Sequence, residues 1–244
     1  MKLSVVLSPS ELSTRALSGR IAVVIDVIRA STTIVTALVH GARSVIPALT
    51  EREASALASA YPSSEVLLAG EKGGEKIKGF PYGNSPLELS SPAVSGKSIV
   101  LTTSNGTRAL LRAREAGIVA VCGFVNIHPI AEWMCGQDRD VVIFCAGRSG
   151  KFSLEDAVCA GMLASLVLES SMVRDEDDAA RAARLLYAGY AEGLNRLRED
   201  SSWARSLARL GREEDLSACL SVDRYKAVPL FSNGIITLDP RLPG

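Results

Sequence analysis

The stretch IVLTTSNGTRAL (residues 99–110) joins an apolar β-branched run to a series of small polar residues and then to an Ala/Leu/Arg pattern. We interpret it as a buried strand, a turn and the start of a helix. The same order recurs at VVIDVIRASTTIVTAL (23–38) and VVIFCAGRSGKFSLEDAVCAGML (141–163). Backbone N–H groups at helix starts bind anions, so each of the three turns is a candidate anion site.

Short apolar runs rich in Val and Ile recur along the chain without the period-two alternation of half-exposed strands. Such runs are typical of strands buried on both faces of a mostly parallel sheet. Because helical patterns lie between them, we predict a single α/β domain over 1–244, a three-layer α/β/α fold with a mostly parallel or mixed sheet. The predicted strands are 3–7, 21–27, 44–49, 66–69, 98–102, 118–122 and 140–145, and the helices between them are 32–41, 51–60, 107–117 and 154–169.

The last third of the chain is more helical in pattern. Its acidic start and leucine spacing predict one long amphipathic helix over 174–200, and a further helix is predicted at 202–210. The tail at 228–238 returns either to the sheet or to the site. Apolar positions of the long helix are candidates for a dimer interface, and we expect a homodimer.

Composition excludes several function classes. Lys plus Arg and Asp plus Glu both number 27, so the formal net charge is zero, which argues against a nucleic-acid or membrane partner. The five cysteines form no C-x-x-C pair, which disfavours a zinc site. The apolar run at 3–7 is too short for a signal-peptide core, and we expect a cytoplasmic protein.

The first turn, DVIRASTT (26–33), carries mixed charge. Asp26 ends a buried strand and is a candidate Mg²⁺ ligand. Arg29, Ser31 and Thr32, with the backbone N–H groups of the helix start, form a candidate anion cradle. The alternative is a helix cap with an Asp–Arg salt bridge.

A loop rich in glycine and proline, AGEKGGEKIKGFPYGNSP, occupies residues 69–86. Long structured loops inside compact domains are often functional. Glu71 is a candidate metal ligand, and Lys72 and Lys76 are candidates to neutralise a phosphate or a second acid group. Asn84 and Ser85, near the end of the loop, are assigned to substrate binding. The alternative is a solvated, flexible loop.

The turn in the opening stretch offers hydroxyl, amide and backbone N–H groups beside a cation. We assign Ser104, Asn105, Gly106, Thr107 and Arg108 to substrate binding. Glycine at 106 would let the backbone approach a ligand closely. The alternative is a simple capped helix.

The third turn, CAGRSGKFSLEDA (145–157), imitates two phosphate-binding motifs without satisfying either. Its spacing is wrong for a P-loop, and Cys145 is better explained as a buried core residue than as a nucleophile. We assign Gly147 and Arg148 to substrate binding. Glu155 and Asp156 are candidates for metal ligand and general base; the alternative is a capping box at the helix start.

Taken together, these segments resemble the 2-phosphosulfolactate phosphatase (ComB-like) family. VVIDVIRASTTIVTAL, GEKGGEKIKGFPYGNSPLE, LTTSNGTRAL and CAGRSGKFSLEDAVCAG occur in the family's order, followed by VD…VP at 222–229. The resemblance covers most of residues 1–163. It implies an α/β/α phosphatase that uses Mg²⁺ to hydrolyse a small anionic phosphoester, 2-phospho-3-sulfolactate, to 3-sulfolactate and phosphate, a step in coenzyme M biosynthesis.

The sequence offers no well-supported His, Ser or Cys nucleophile, which motivates a hypothesis in which water attacks the phosphate directly. Asp26 and Glu71, with Asp156, would hold Mg²⁺. Arg29 and the amides of the opening turn would stabilise the transferring group, and Glu155 or Asp156 would take the proton of the water. Two alternatives stay open: a Mg²⁺-dependent phosphatase of another small phosphorylated 2-hydroxy acid, and a non-catalytic anion-binding protein.

Overall fold

The computed structural model describes residues 1–13 and 17–241. Its strands belong to one mixed sheet, with helices between them. The strands are β1 Lys2–Val6, β2 Ile21–Ile25, β3 Ser44–Ala48, β4 Val66–Lys72, β5 Glu75–Lys76, β6 Ser98–Thr102, β7 Ile118–Cys122, β8 Val141–Cys145, β9 Asp175–Glu176, β10 Pro229–Ser232 and β11 Ile235–Leu238. The helices are α1 Ala30–Val39, α2 Glu51–Ser59, α3 Gly106–Ala113, α4 Ile127–Cys135, α5 Leu154–Glu169, α6 Asp178–Ala188, α7 Leu197–Asp200, α8 Ser202–Arg209 and α9 Glu213–Cys219.

The sheet is parallel through most of its width. Its strand order is β5-β4-β6-β3-β11-β10-β7-β2-β8-β1-β9. The strands β10 and β11 pair antiparallel with each other and with β7 and β3, and β5 pairs antiparallel with β4; the other pairs are parallel. The carboxyl ends of the parallel strands share one edge, where ligands bind in folds of this class.

The strand β2 shows how the layers form. Val23 and Ile25 pack on one face into a core shared with α4 and α5. Val24 packs on the other face into a core shared with α1 and α3. Both faces are therefore covered by helices, which confirms the predicted α/β/α class and explains why the run lacks polar alternation.

The second core also joins distant strands of the sheet. Ile99 and Leu101 of β6 pack in the same cluster as Val24 of β2 and Phe144 of β8, although β3, β11, β10 and β7 separate β6 from β2 along the sheet. The turns that follow β6, β2 and β8 are thereby brought towards one another.

The seven predicted strands and the four helices between them are confirmed, with ends that match or are shifted by up to four residues. β4 runs on to Lys72 because Gly73 and Gly74, with φ of 63° and 95°, form a tight turn into β5. The tail returns to the sheet as β10 and β11, joined by Asn233 and Gly234, whose φ angles are also positive.

The prediction of one helix over 174–200 is wrong. The segment contains β9, α6, a 3-10 turn over 194–196 and α7. Asp177 starts α6 by accepting the Ala180 N–H at 2.8 Å, and the helix ends at Gly189. The backbone is extended at Gly193, so α6 and the helical turns that follow it are separate. Leu185 on α6 is 71% exposed, and the homodimer stays a prediction.

The helix predicted at 202–210 is confirmed as α8, and α4 and α9 lay outside the predicted elements. Within the described residues, no helix combines the length and apolar character that a membrane crossing requires.

Helices α5 and α6 pack closely at Gly161. A Cβ at this position would lie 2.0 Å from the carbonyl oxygen of Ala183, so we expect Gly161→Ala to lower the free energy of unfolding by at least about 2 kcal/mol. Gly136→Ala is the matched control, since its nearest neighbouring atom would lie at 3.5 Å. Urea unfolding followed by circular dichroism measures both, and equal stabilities would contradict the packing described.

Candidate active site

The turn after β2 is held by its own side chains. The N–H of Asp26 donates to Ser31 Oγ at 2.9 Å, and Thr32 Oγ1 donates to the Val27 carbonyl at 3.0 Å. Asp26 Oδ1 accepts from the Ala30 N–H at 3.3 Å. The hydroxyls of Ser31 and Thr32 thus shape the turn that presents Asp26, and their substrate-binding role stays a prediction.

Gly106, the first residue of α3, lies directly against this turn. A Cβ at Gly106 would come within 2.4 Å of the Ala30 Cβ and 2.6 Å of Asp26 Oδ2. The close approach that we expected towards a ligand is therefore an approach towards Asp26. It brings the opening-stretch turn and the β2 turn into contact.

The opening-stretch turn is fastened on both sides. Asn105 Oδ1 accepts the Ser149 N–H at 2.9 Å, which ties the turn to the loop after β8. Thr103 Oγ1 accepts the N–H of Thr107, and Thr107 Oγ1 accepts the N–H of Thr103 and donates to its carbonyl, all at 3.1 Å. The fully buried Thr107 hydroxyl thus fastens the turn to the start of α3. Arg108, which follows Thr107 in α3, is exposed.

Glu71 links the same turn to the β4–β5 hairpin. Its Oε1 accepts the Ser104 N–H at 2.7 Å, and its Oε2 accepts the Gly74 N–H at 2.7 Å. Ser104 Oγ also donates to Oε2 at 3.3 Å. Glu71 is only 7% exposed, so backbone amides fix this carboxylate in place.

Glu155 and Asp156, at the start of α5, reach two further elements. Asp156 accepts the Val27 N–H at 2.9 Å and the Gly147 N–H at 3.0 Å, one on each carboxylate oxygen. Glu155 Oε2 accepts from Ser201 Oγ at 2.8 Å. Asp156 therefore joins the turns after β2 and β8. Because the N–H of Gly147 donates to Asp156, it is not available to a substrate.

We call the four buried carboxylates the carboxylate cluster: Asp26, Glu71, Glu155 and Asp156. Their negative charges repel one another. Burial raises the pKa of Asp26 to about 7, and the charges of Glu71 and Glu155 add to the effect. Burial, with the charges of Asp26 and Glu155, also raises the pKa of Asp156 well above its usual range. Between residues 1–13 and 17–241, no group of three or more His, Cys, Asp or Glu side chains has an arrangement that holds a metal ion by itself.

Arg29 lies beside the cluster, since its charge acts to lower the pKa of Asp26. It forms its ion pair with Asp215 of α9, at 2.6 Å from Nη1 to Oδ2, not with Asp26 as the salt-bridge alternative had it. Its Nη2 donates to the Gly74 carbonyl at 2.7 Å. Ser85 Oγ donates to the other oxygen of Asp215 at 2.6 Å.

A cleft of about 1070 Å³ opens over the turns that follow β6 and β8, and Glu71 is the member of the carboxylate cluster that lines it. Glu71, Ser104 and Asn105 line it together with cations from several elements. Arg112 is anchored by donating to the carbonyls of Pro9 and Leu12. The cationic lining residues are Arg52, Lys72, Arg108, Arg112 and Arg114.

The other predicted substrate-binding residues take separate positions. Asn84 is buried, and its Oδ1 has no hydrogen-bond partner within the described chain. Lys76 is exposed on β5. The guanidinium of Arg148 lies over the Trp203 ring at 4.2 Å from the ring centre. Substrate-binding roles for all three stay predictions.

Cys145 is fully buried, as predicted. Burial, with the charges of Asp156 and Glu155, raises the pKa of its thiol well above the usual range. A thiol that resists ionisation is a poor nucleophile.

Comparison with known proteins identifies relatives over nearly the whole chain. The 2-phosphosulpholactate phosphatase family model matches residues 6–234. A protein named "Probable 2-phosphosulfolactate phosphatase" from Caldanaerobacter subterraneus subsp. tengcongensis is 38% identical, with 93% of this chain and 94% of the relative aligned. Proteins of the same name are 40% identical in Symbiobacterium thermophilum, covering 91% of this chain and 95% of the relative, and 41% identical in Thermotoga petrophila, covering 90% and 92%.

The raised pKa of Asp26 predicts how stability depends on pH. The folded protein keeps the Asp26 carboxyl protonated up to about pH 7, whereas an ordinary Asp has a pKa of 3.8. Ionisation of this carboxyl therefore lowers the free energy of unfolding as the pH rises from about 4 to about 7. Asn does not ionise, so in EDTA buffer Asp26→Asn should be more stable than wild type at pH 8 by about 1–3 kcal/mol. The difference should shrink towards pH 5.

Urea unfolding at both pH values measures this effect. The control is Asp175→Asn at an exposed ion pair, for which any difference from wild type should be the same at both pH values. An Asp26→Asn variant that is less stable than wild type at pH 8 would contradict the electrostatics of the cluster.

Proposed function

The chain belongs to the 2-phosphosulpholactate phosphatase family, and we propose that it hydrolyses 2-phospho-3-sulfolactate to 3-sulfolactate and phosphate with Mg²⁺, as in coenzyme M biosynthesis. One observation carries the proposal: a buried carboxylate cluster lies beside a cleft lined by five cations. A phosphatase that uses a metal needs both, since the ion must be held by oxygen ligands and the substrate is an anion.

The donor set of the cluster fits Mg²⁺. This ion prefers oxygen ligands and is usually held by one or two protein carboxylates together with water and substrate phosphate. Asp26 and Glu71 would hold it, since Glu71 is the charged neighbour that raises the pKa of Asp26 most. Asp156, the third ligand in our hypothesis, keeps lone pairs free beyond the two N–H groups that it accepts. When bound, the ion would neutralise the cluster and polarise the phosphoryl group.

The protein's own groups would do the rest. Arg29 would donate to the transferring phosphoryl group, in a buried site where charge stabilisation is strong. Glu155 or Asp156 would accept the proton of the attacking water. Burial raises the pKa of Asp156, so its carboxylate would be a stronger base than that of an ordinary Asp once a bound cation favours the ionised form.

The cleft suits a substrate with three acidic groups on three carbons. With the phosphate at the cluster, the carboxylate and sulfonate would face Lys72, Arg108 and Arg52. These cations give the site a local positive field although the whole chain has zero net charge.

Phosphate release from 2-phospho-3-sulfolactate tests the proposal, with phospholactate and phosphoglycerate as competing substrates. We expect release that requires Mg²⁺, stops in EDTA and favours the sulfonate. Asp26→Asn should lower kcat by at least about 10³-fold while the fold is kept, and Asp175→Asn should not.

Each other outcome has a definite meaning. Near-normal turnover in Asp26→Asn would refute the assignment of Asp26. Equal phosphate release from the three compounds would change the proposed substrate to another phosphorylated 2-hydroxy acid. No release from any of them by folded protein would favour the anion-binding alternative.

Mg²⁺ binding has a readout independent of turnover. An ion that binds only the folded state raises Tm, so Mg²⁺ should stabilise wild type in a thermal melt. Asp26→Asn and Glu71→Gln should each reduce this shift by more than half, and Asp175→Asn should leave it unchanged. Equal shifts in all four proteins would place the ion elsewhere.

A further inference from the structure

Three residues predicted from the sequence to belong to the site, one in the turn after β2, one in the turn after β8 and one at the start of α5, each contact one side chain from residues 201–215. Asp215 pairs with Arg29, Trp203 stacks on Arg148, and Ser201 donates to Glu155. We propose that Asp215 is a positioning residue for phosphoryl transfer that acts through Arg29, within a segment that holds the turns together. The inference rests on the proposed function, which gives Arg29 its role at the phosphoryl group.

The Arg29–Asp215 contact fixes direction as well as distance. Both side chains are 3% exposed. The guanidinium donates to the Asp215 carboxylate at 2.6 Å and to the Gly74 carbonyl at 2.7 Å, and Ser85 holds the second carboxylate oxygen at 2.6 Å. A planar guanidinium with two fixed acceptors has one orientation. Two of its five N–H donors are used, so the others can serve an anion.

Asp215 competes with the carboxylate cluster for the guanidinium of Arg29, and this competition is the basis of its positioning role. Asp26 of the carboxylate cluster is close enough for the charge of Arg29 to lower its pKa, so a guanidinium released from Asp215 would turn towards Asp26. There it would occupy the space and the charge that a metal ion and a phosphoryl group need. A buried ion pair contributes little to net stability because desolvation offsets the attraction, so the value of this pair lies in keeping Arg29 oriented.

The rest of the segment supports the same arrangement. Trp203 Nε1 donates to the Ile28 carbonyl at 2.8 Å, next to Arg29 in the β2 turn. A Cβ at Gly74 would lie 2.9 Å from the Trp203 ring, so the indole also packs on the loop whose carbonyl binds Arg29. The β2 turn, the β4–β5 loop and the β8 turn thus all rest on Trp203.

A double-mutant cycle tests the proposal with Asp215→Asn, Arg29→Lys and the double variant. We expect each single variant to lower kcat for 2-phospho-3-sulfolactate about 10- to 100-fold, with a smaller change in KM. If Asp215 acts through Arg29, the double variant should be no slower than Arg29→Lys alone. Multiplied losses in the double variant would overturn the proposal.

The control is Asp200→Asn, on neighbouring α7. Asp200 accepts from Tyr190 Oη at 2.9 Å and contacts none of the turns among the described residues. It should keep wild-type kcat, which separates a positioning effect from general weakening of the C-terminal helices. If Asp215→Asn is unfolded by circular dichroism, Asp215→Glu replaces it in the cycle, since it keeps the charge but displaces it by one methylene. A kcat within twofold of wild type in Asp215→Glu would then overturn the proposal.

Binding of inorganic phosphate, measured by calorimetry in Mg²⁺, separates the two proposals. If wild type releases no phosphate from the substrate, the proposed function fails and phosphate affinity alone decides about Asp215. Asp215→Asn should then weaken phosphate binding about tenfold, and the double variant should bind no more weakly than Arg29→Lys. Unchanged affinity in Asp215→Asn would overturn the positioning role in either case.

Discussion

The burial of four carboxylates at one edge of the sheet is the constraint on which the rest of the site depends. An ionised carboxylate leaves water only at a large cost unless donors replace the lost hydration. The structure meets that cost mainly with backbone amides, which is why the surrounding turns have the shapes they have. Gly74, Gly147 and Val27 each direct an N–H at a carboxylate. The turn glycines thus supply donors at positions where a side chain would obstruct them, as at Gly147, where a Cβ would lie 2.2 Å from a carbonyl oxygen.

These donors hold the carboxylates in place but leave the charge incompletely neutralised. Arg29 is the buried cation beside them, and part of its charge is committed to Asp215. The cleft cations Arg52, Lys72 and Arg108 lie at the surface of the same site. The buried carboxylates are negative and the exposed cleft cations are positive. Together they create a local electric field although the chain has zero net charge. Under the proposed function, a divalent cation and a polyanion would together complete this arrangement, because either one alone would leave the other set of charges uncompensated.

The fold was predictable where local pattern and tertiary burial agree. Strands such as 21–25 are apolar at every position because both faces are covered, so their composition alone identifies them. The prediction of one helix over 174–200 failed because leucine periodicity continues across residues 189–193, where α6 has ended at Gly189 and the backbone of Gly193 is extended. In the site, strand–turn–helix order predicted roles for Asp26 and Asp156, and the loop rich in glycine and proline predicted one for Glu71. Neither pattern carries a signal for Asp215 or Trp203, because their relevance arises only when distant helices pack on the turns.

The turn hydroxyls illustrate a broader point about anion sites at helix starts. Ser31, Thr32 and Thr107 have the residue types of an anion cradle, but each is bonded to the backbone of its own turn. Under the proposed function, recognition of the substrate's outer groups would fall to long side chains that line the cleft from α2 and α3. Arg52 and Arg108 are exposed, and the amides that fix the carboxylate cluster do not depend on them. Changes at such residues would then alter substrate preference without altering the buried carboxylates, so one arrangement of carboxylates would serve phosphate esters that differ in their second acid group.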